Sequence, residues 1–270
     1  VKEGYWVIRT YEAGAVGEKT KFWIQGARPS SRNRRKEQSA IKKQEQNEYS
    51  AQKRLARLIN ANFRQGDLLL GLDYSPAGMD RLEEYIAEHP FDIDETGDAE
   101  ADQMQQVRYA ADREMRLCLR RVKRELAKDG IALRYIAITS DMNGDTGEAV
   151  RVHHHLIVNE AARDAFVQKW AELGGVNWSP LSGQKDYTPI AEYLLRQVRR
   201  VPDEKKYVTS RNLYRPQPKD RAVLSDAEVR VPKGGTLLFR NEFRPGRPQY
   251  IRYVLPENRQ KPPPEDEKTA

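Results

Sequence analysis

The sequence predicts an α+β protein: a central antiparallel sheet with helices on one face, preceded by an N-terminal hairpin and a long helix. Three observations carry this. Short apolar or alternating runs occur at "DLLLGLDYS" (67–75), "LRYIAITSD" (133–141) and "AVRVHHHLIVN" (149–159). Amphipathic helical patterns lie between and after them. The resulting order of strand, helix, strand, strand, helix, strand, helix suits an antiparallel sheet backed by helices.

Residues 4–26 read as two strands around a glycine-containing turn. The basic run "RPSSRNRRKEQSAIKK" then opens a long polar helix that reaches Asn62. Its apolar stripe starts only at Ala51, Leu55, Leu58 and Ile59, so its early part is solvated or lies on a partner. The strand at 67–75 ends in Pro76 and Gly78, which are turn signals, and 90–102 is an acidic loop. From Gln103 a helix places Val107, Ala111, Met115, Cys118, Val122 and Leu126 on one face and stops at Gly130. It carries Arg108, Arg113, Arg116, Arg120, Arg121, Lys123 and Arg124, covers a sheet, and has a wet outer side. The strands 133–141 and 149–159 are joined by "MNGDTGE", with Asn-Gly setting the turn. A helix at 161–173, a short strand near "VNWSPL" and an amphipathic helix at 187–200 follow. These readings divide the chain into an N-terminal extension (1–64), a core (65–215), C-terminal accessory strands (216–255) and a disordered tail (256–270).

Composition bounds the function. The chain has 270 residues, 38% hydrophobic and 32% charged, enough for one core with extensions or two small domains. It contains no apolar run long enough to cross a bilayer, and its opening residues lack the apolar stretch of a signal peptide. No membrane partner is expected. The single cysteine, Cys118, rules out an internal disulfide framework and fits a reducing cytoplasm. Lys and Arg outnumber Asp and Glu by 47 to 40, a net charge of +7 that leans toward a polyanionic partner.

Side-chain alternation selects the candidate site. In His153-His154-His155, the outer two point to one face of a strand and His154 to the other. Val150, Val152, Leu156 and Val158 share the parity of His154, which marks that face as core. His153 and His155 then stand on the open face, about 7 Å apart along the strand, where two imidazoles can hold one divalent cation. A change of His154 to leucine should leave activity intact. In 67–75, Leu68, Leu70 and Leu72 mark the core, which leaves Gly71, Asp73 and Ser75 open. In 133–141, Ile136 and Ile138 mark the core, which leaves Tyr135, Thr139 and Asp141 open. Asp73 and Asp141 are therefore candidate oxygen ligands, and Glu148 at the turn ranks below them. In "YTPIAEYLLRQVRR", Ile190, Ala191, Leu194 and Val198 form an apolar stripe. Tyr193 lies off that stripe, in line with Arg196, Gln197 and Arg200.

Taken together, these pieces resemble the HUH endonucleases. "RVHHHLIVN" resembles their paired-histidine strand, "DLLLGLDYS" their first motif strand, and "IAEYLLRQ" their tyrosine helix. The order and spacing are similar to rolling-circle replication initiators (Rep) of small plasmids and single-stranded DNA phages. "ARLINANFRQGDLLLGLDY" and "YVTSRNLYRP" resemble the group related to filamentous-phage gene II replication proteins. The likeness spans residues 5–215. It departs from the family at His154, usually hydrophobic, at Arg196, usually lysine, and at Gly71 and Asp73, where hydroxyl residues are common. Pro189 stands where two-tyrosine members carry their other tyrosine, so Tyr193 is the single nucleophile expected. Tyr187 lies about 120° away around the helix.

The resemblance implies a ferredoxin-like Rep nuclease core and a metal-dependent nick in single-stranded DNA at an origin carried in a hairpin. Tyr193 would attack the scissile phosphate, leaving a 5′-phosphotyrosyl link and a free 3′-hydroxyl. Arg196 would assist, and His153 and His155, with Asp141 or Asp73, would hold Mg²⁺ or Mn²⁺. A phenol titrates near 10, so it needs activation by a metal-polarised site or nearby cations. Arg32, Arg34, Arg35, Lys36, Arg200 and Arg211 are the expected DNA contacts. No G-x-x-x-x-G-K-[ST] motif occurs, so strand separation falls to a host helicase and extension to a host polymerase, in a bacterial cytoplasm. The alternatives are a single-tyrosine HUH transposase, a relaxase, or a DNA-binding protein without catalysis.

Overall fold

The computed structural model describes residues 4–24, 40–93, 96–198 and 205–263. Arg32, Arg34, Arg35, Lys36, Arg200 and the end of the expected tail, 264–270, lie outside the described residues. In chain order the elements are β1 (Tyr5–Ala13), β2 (Val16–Ile24), α1 (Ala40–Asn62), β3 (Leu68–Tyr74), α2 (Pro76–Glu88), α3 (Ala99–Ala127), β4 (Tyr135–Met142) and β5 (Ala149–Val158). They continue with α4 (Arg163–Trp170), β6 (Gly174–Pro180), α5 (Thr188–Arg196), β7 (Val208–Thr209), β8 (Lys219–Val223), β9 (Thr236–Arg240) and β10 (Gln249–Val254). The fold is α+β, with two antiparallel five-stranded sheets. Contacts divide the chain into two units, one from Val1–Asn62, Gln184–Ala191 and Tyr214–Pro263, the other centred on Phe63–Gly183 and Glu192–Leu213.

The first unit holds the sheet β8-β1-β2-β10-β9. The hairpin turns at Gly14, whose φ of 58° favours glycine. The hairpin and the C-terminal strands, which the sequence reading assigns to separate segments, pair with each other: β1 with β8 and β2 with β10. Such pairing spans about 200 residues of chain and leaves no local signature. The late stripe of α1 is buried at Leu55, Leu58 and Ile59, and Arg57 pairs with Glu18 at 2.7 Å. A short 3₁₀ turn occupies Glu257–Arg259.

The second unit holds the sheet β6-β3-β5-β4-β7. One face packs against α2, α3 and α4, with Leu82, Met115, Cys118, Val122, Phe166 and Trp170 in one core with Leu70, Leu72, Leu156 and Val158. Burial pushes the Cys118 thiol up to about 12, which leaves it inert. Pro76 and Gly78 do not end in a loop: they open α2. Ser75 is its N-cap, accepting from the Gly78 amide, and Pro76 stands in the first turn, where no amide hydrogen is missed. Likewise α3 begins at Ala99, inside the expected acidic loop. Asp98 caps it, and Glu100 and Asp102 lie in its first turn, where the helix dipole favours negative charge.

Gly78 illustrates how tightly α2 docks. A Cβ there would lie 2.0 Å from the Leu173 carbonyl oxygen, a backbone atom that cannot swing aside. Gly78→Ala should lower stability by about 1–3 kcal/mol, read as a drop in thermal midpoint. An unchanged midpoint would mean that α2 shifts freely.

Candidate functional site

β5 is the central strand, and the alternation of its three histidines sorts them into different environments. His154 is fully buried on the helix-covered face. Its Nε2 lies 2.9 Å from the Tyr74 hydroxyl and its Nδ1 3.0 Å from Thr139 Oγ1. Thr139 donates its one proton to Asp112. His154 Nδ1–H therefore donates to Thr139, and Nε2 accepts from Tyr74. Burial, with lesser repulsion from His153 and His155, holds the imidazole neutral by pressing its pKa to about 3.

Replacing His154 with leucine thus removes two buried hydrogen bonds that sequence alternation alone does not reveal. His154→Leu should cost about 1–3 kcal/mol at neutral pH. The sign of the pH effect follows from the depressed pKa. Between pH about 3 and 6.5 the unfolded chain binds more protons at this residue, so wild-type stability falls as pH drops through that window. The variant should show a shallower acid slope in thermal melts, and an equally steep one would remove His154 as its source.

His153 and His155 occupy the opposite face. Directly paired residues share a face, and His155 pairs with Gly71 and Ile138, while His153 pairs with Asp73 and Ser140. The expected faces of β3 and β5 are those observed. That of β4 is reversed. Tyr135 and Ala137 pack in the helix-covered core, Thr139 reaches His154, and Ile136 and Ile138 lie on the histidine-pair face. The β4–β5 register shifts between Ser140 and Met142, at Asp141, which is 3% exposed and completes no metal-holding group of three among the described residues. Ile136 and Ile138 misled because that face is itself buried: Ile136, Ile138 and Ile157 are at most 2% exposed.

The two imidazoles converge. Their Nε2 atoms are 3.1 Å apart, and His153 Nδ1 donates to the Arg151 carbonyl at 3.0 Å, leaving its Nε2 lone pair available. Gln197, which sequence reasoning noticed beside Tyr193 but gave no role, places Oε1 2.9 Å from His155 Nε2. Its signal was its position four residues after Tyr193, one turn along the same face. Burial, then the neighbouring His153, lowers the His155 pKa.

The tyrosine helix lies on this face. Ala191 and Leu194 of α5 are buried, while Tyr193 is 43% exposed with its ring centroid 5.8 Å from that of His155. Tyr187, by contrast, is buried. A cleft of about 430 Å³ is lined by Asp73, His153, Tyr193, Arg196 and Gln197 together with the β4–β5 turn. That turn is not built on Asn-Gly alone. The Asn143 side chain accepts from the amides of Asp145 and Thr146, and Gly147 supplies the positive φ of 74°. Arg196 is exposed, with Nη1 3.9 Å from Asp145. Asp73 is exposed and accepts from Asn177 at 3.0 Å. Arg211 is exposed but does not line this cleft.

The residues present can be tested against a cation. Two ligands at right angles on an ion with bonds of about 2.1 Å lie about 3 Å apart, which the imidazole pair matches. Among the described residues no group of three His, Cys, Asp or Glu side chains could hold a metal ion. Beside the pair, the Gln197 amide oxygen accepts from His155 Nε2 at 2.9 Å, and Asp73 lines the cleft. Among the described residues no helix is long and apolar enough to cross a membrane. Comparison with family models, curated proteins and solved structures finds no match for the chain.

Proposed function

We propose that the protein nicks and rejoins single-stranded DNA as an HUH endonuclease, and initiates rolling-circle replication of a phage or plasmid. The observation that carries this reading is the approach of Tyr193 to a convergent pair of imidazoles, in a cleft that also holds Arg196. His154 is wholly buried between Tyr74 and Thr139, whereas the Nε2 atoms of His153 and His155 lie 3.1 Å apart on the other face, near the exposed ring of Tyr193.

Tyr193 Oη attacks the scissile phosphorus. A phosphorus–oxygen bond to the phenol forms, the bond to the 3′-oxygen breaks, and that oxygen leaves as a hydroxyl after taking a proton. The exchange replaces one phosphodiester by another, so no nucleotide is hydrolysed and rejoining runs the same step backward. His153, His155 and Gln197 would hold Mg²⁺ or Mn²⁺, which when bound neutralises a non-bridging phosphate oxygen. Arg196 offers a further positive charge to the strand. Asp73, paired with His153 across β3 and β5, accepts from Asn177.

A single-tyrosine transposase would use the same chemistry, and a relaxase usually carries its tyrosine ahead of the histidines. The test is a denaturing gel of the protein with a pool of single-stranded hairpin oligonucleotides and Mn²⁺. A metal-dependent covalent adduct is expected. DNA binding without adduct or cleavage under any divalent metal would leave a non-catalytic DNA-binding protein.

A further inference from the structure

A second cleft, of about 500 Å³, opens in the same unit on the other side of the sheet. Ala137 and Thr139 line its floor, which places it on the face of His154 and away from His153 and His155. It shares no lining residue with the first cleft. One wall is a single stripe of α3, Tyr109, Asp112, Arg113 and Arg116, at helical intervals of i, i+3, i+4 and i+7. The other includes Lys205, Lys206 and Tyr207, just ahead of β7. Cations from both segments therefore line the opening, and Arg116 and Lys205 are exposed. Asp112 is the acid among the lining residues, and its carboxylate already receives the Thr139 hydroxyl, which blunts its repulsion of an anion. Tyr109 and Tyr207 add aromatic rings to the lining of the two segments.

We infer that this cleft binds a nucleotide, its phosphate between Arg116 and Lys205 and its base against Tyr109 or Tyr207. Paired cations recognise phosphate through charge-assisted hydrogen bonds. Aromatic faces beside them accept any base by stacking, the combination that binds single strands without sequence preference. The volume falls within the usual range for a small-ligand site and exceeds what a bare phosphate would fill. Ala137 and Val208 add an apolar patch to the lining. The same chemistry serves a free nucleotide or one unit of a strand.

Photocross-linking of the full chain separates these sources. One probe is 5-iodo-deoxyuridine monophosphate, the other a short single-stranded oligonucleotide carrying the same base. Mass spectrometry should find the adduct on the peptide holding Tyr109 or Tyr207. Cross-linking by both probes assigns a free nucleotide, and by the oligonucleotide alone assigns a strand. The double variant Arg116→Glu, Lys205→Glu should lose at least about tenfold in affinity, with an unchanged circular-dichroism spectrum because both residues are exposed. Tyr193→Phe and His153→Ala should leave the cross-link unchanged, so a failure of the nicking reading does not touch this one. Cross-links confined to 140–155 and 188–197, unaltered affinity in the double variant, or equal competition by inorganic phosphate would each overturn it.

Discussion

Tyr193→Phe should abolish covalent capture of single-stranded DNA while leaving fold and DNA affinity nearly unchanged. The ring is 43% exposed and meets His155 edge to face, and phenylalanine keeps that contact. What disappears is the oxygen that forms the bond to phosphorus. Loss of a nucleophile costs at least about 10⁴-fold in rate. Tyr187→Phe should still form the adduct, because the Tyr187 side chain is buried. The measurement is mass spectrometry of a trapped and digested complex. A nucleotide on the Tyr187 peptide, or capture that persists in Tyr193→Phe, would return the mechanism to two tyrosines or to another nucleophile.

His153→Ala and His155→Ala should each lower metal-dependent nicking by about 10²–10³-fold, the several kcal/mol that a bound cation contributes to phosphoryl chemistry. Their effects on stability should differ. His153 lies at the rim of the cleft and its loss costs little. His155 is set deeper, beside Ile138 and Gln197, so its truncation opens a small cavity and frees the Gln197 side chain. Gln197→Ala should move the metal titration to higher concentration with a lesser loss at saturation. Isothermal titration with Mn²⁺ separates binding from rate. An unchanged Mn²⁺ affinity in both histidine variants would remove the imidazole pair from any metal site.

Sequence alternation was decisive where one face of a strand is unmistakably the core. On β3 the run Leu68, Leu70, Leu72 leaves Gly71 and Asp73 for the other side, and on β5 the valines and Leu156 claim His154. Helical periodicity separated Tyr193 from the buried Ala191 and Leu194 just as directly. These are local consequences of two-residue and 3.6-residue repeats against a single apolar medium.

On β4 that rule gave the wrong answer, because Tyr135, Ala137, Ile136 and Ile138 put apolar groups on both faces of a strand buried on both. The hydrogen-bond register with β5 alone decides that Ile138 accompanies His155 and that Ser140 accompanies His153. Capping explains α2, whose Pro-x-Gly start reads equally as a turn until Leu173 packs against it. The sequence by itself determined the α+β class, the histidine pair and the exposed tyrosine, each a property of one element. The tertiary structure decided which elements meet: β1 and β2 with β8 and β10, the β4 face with its partners, and Gln197 with His155. Contacts between residues far apart in the chain depend on the packing of whole elements, and no short stretch of sequence contains that information.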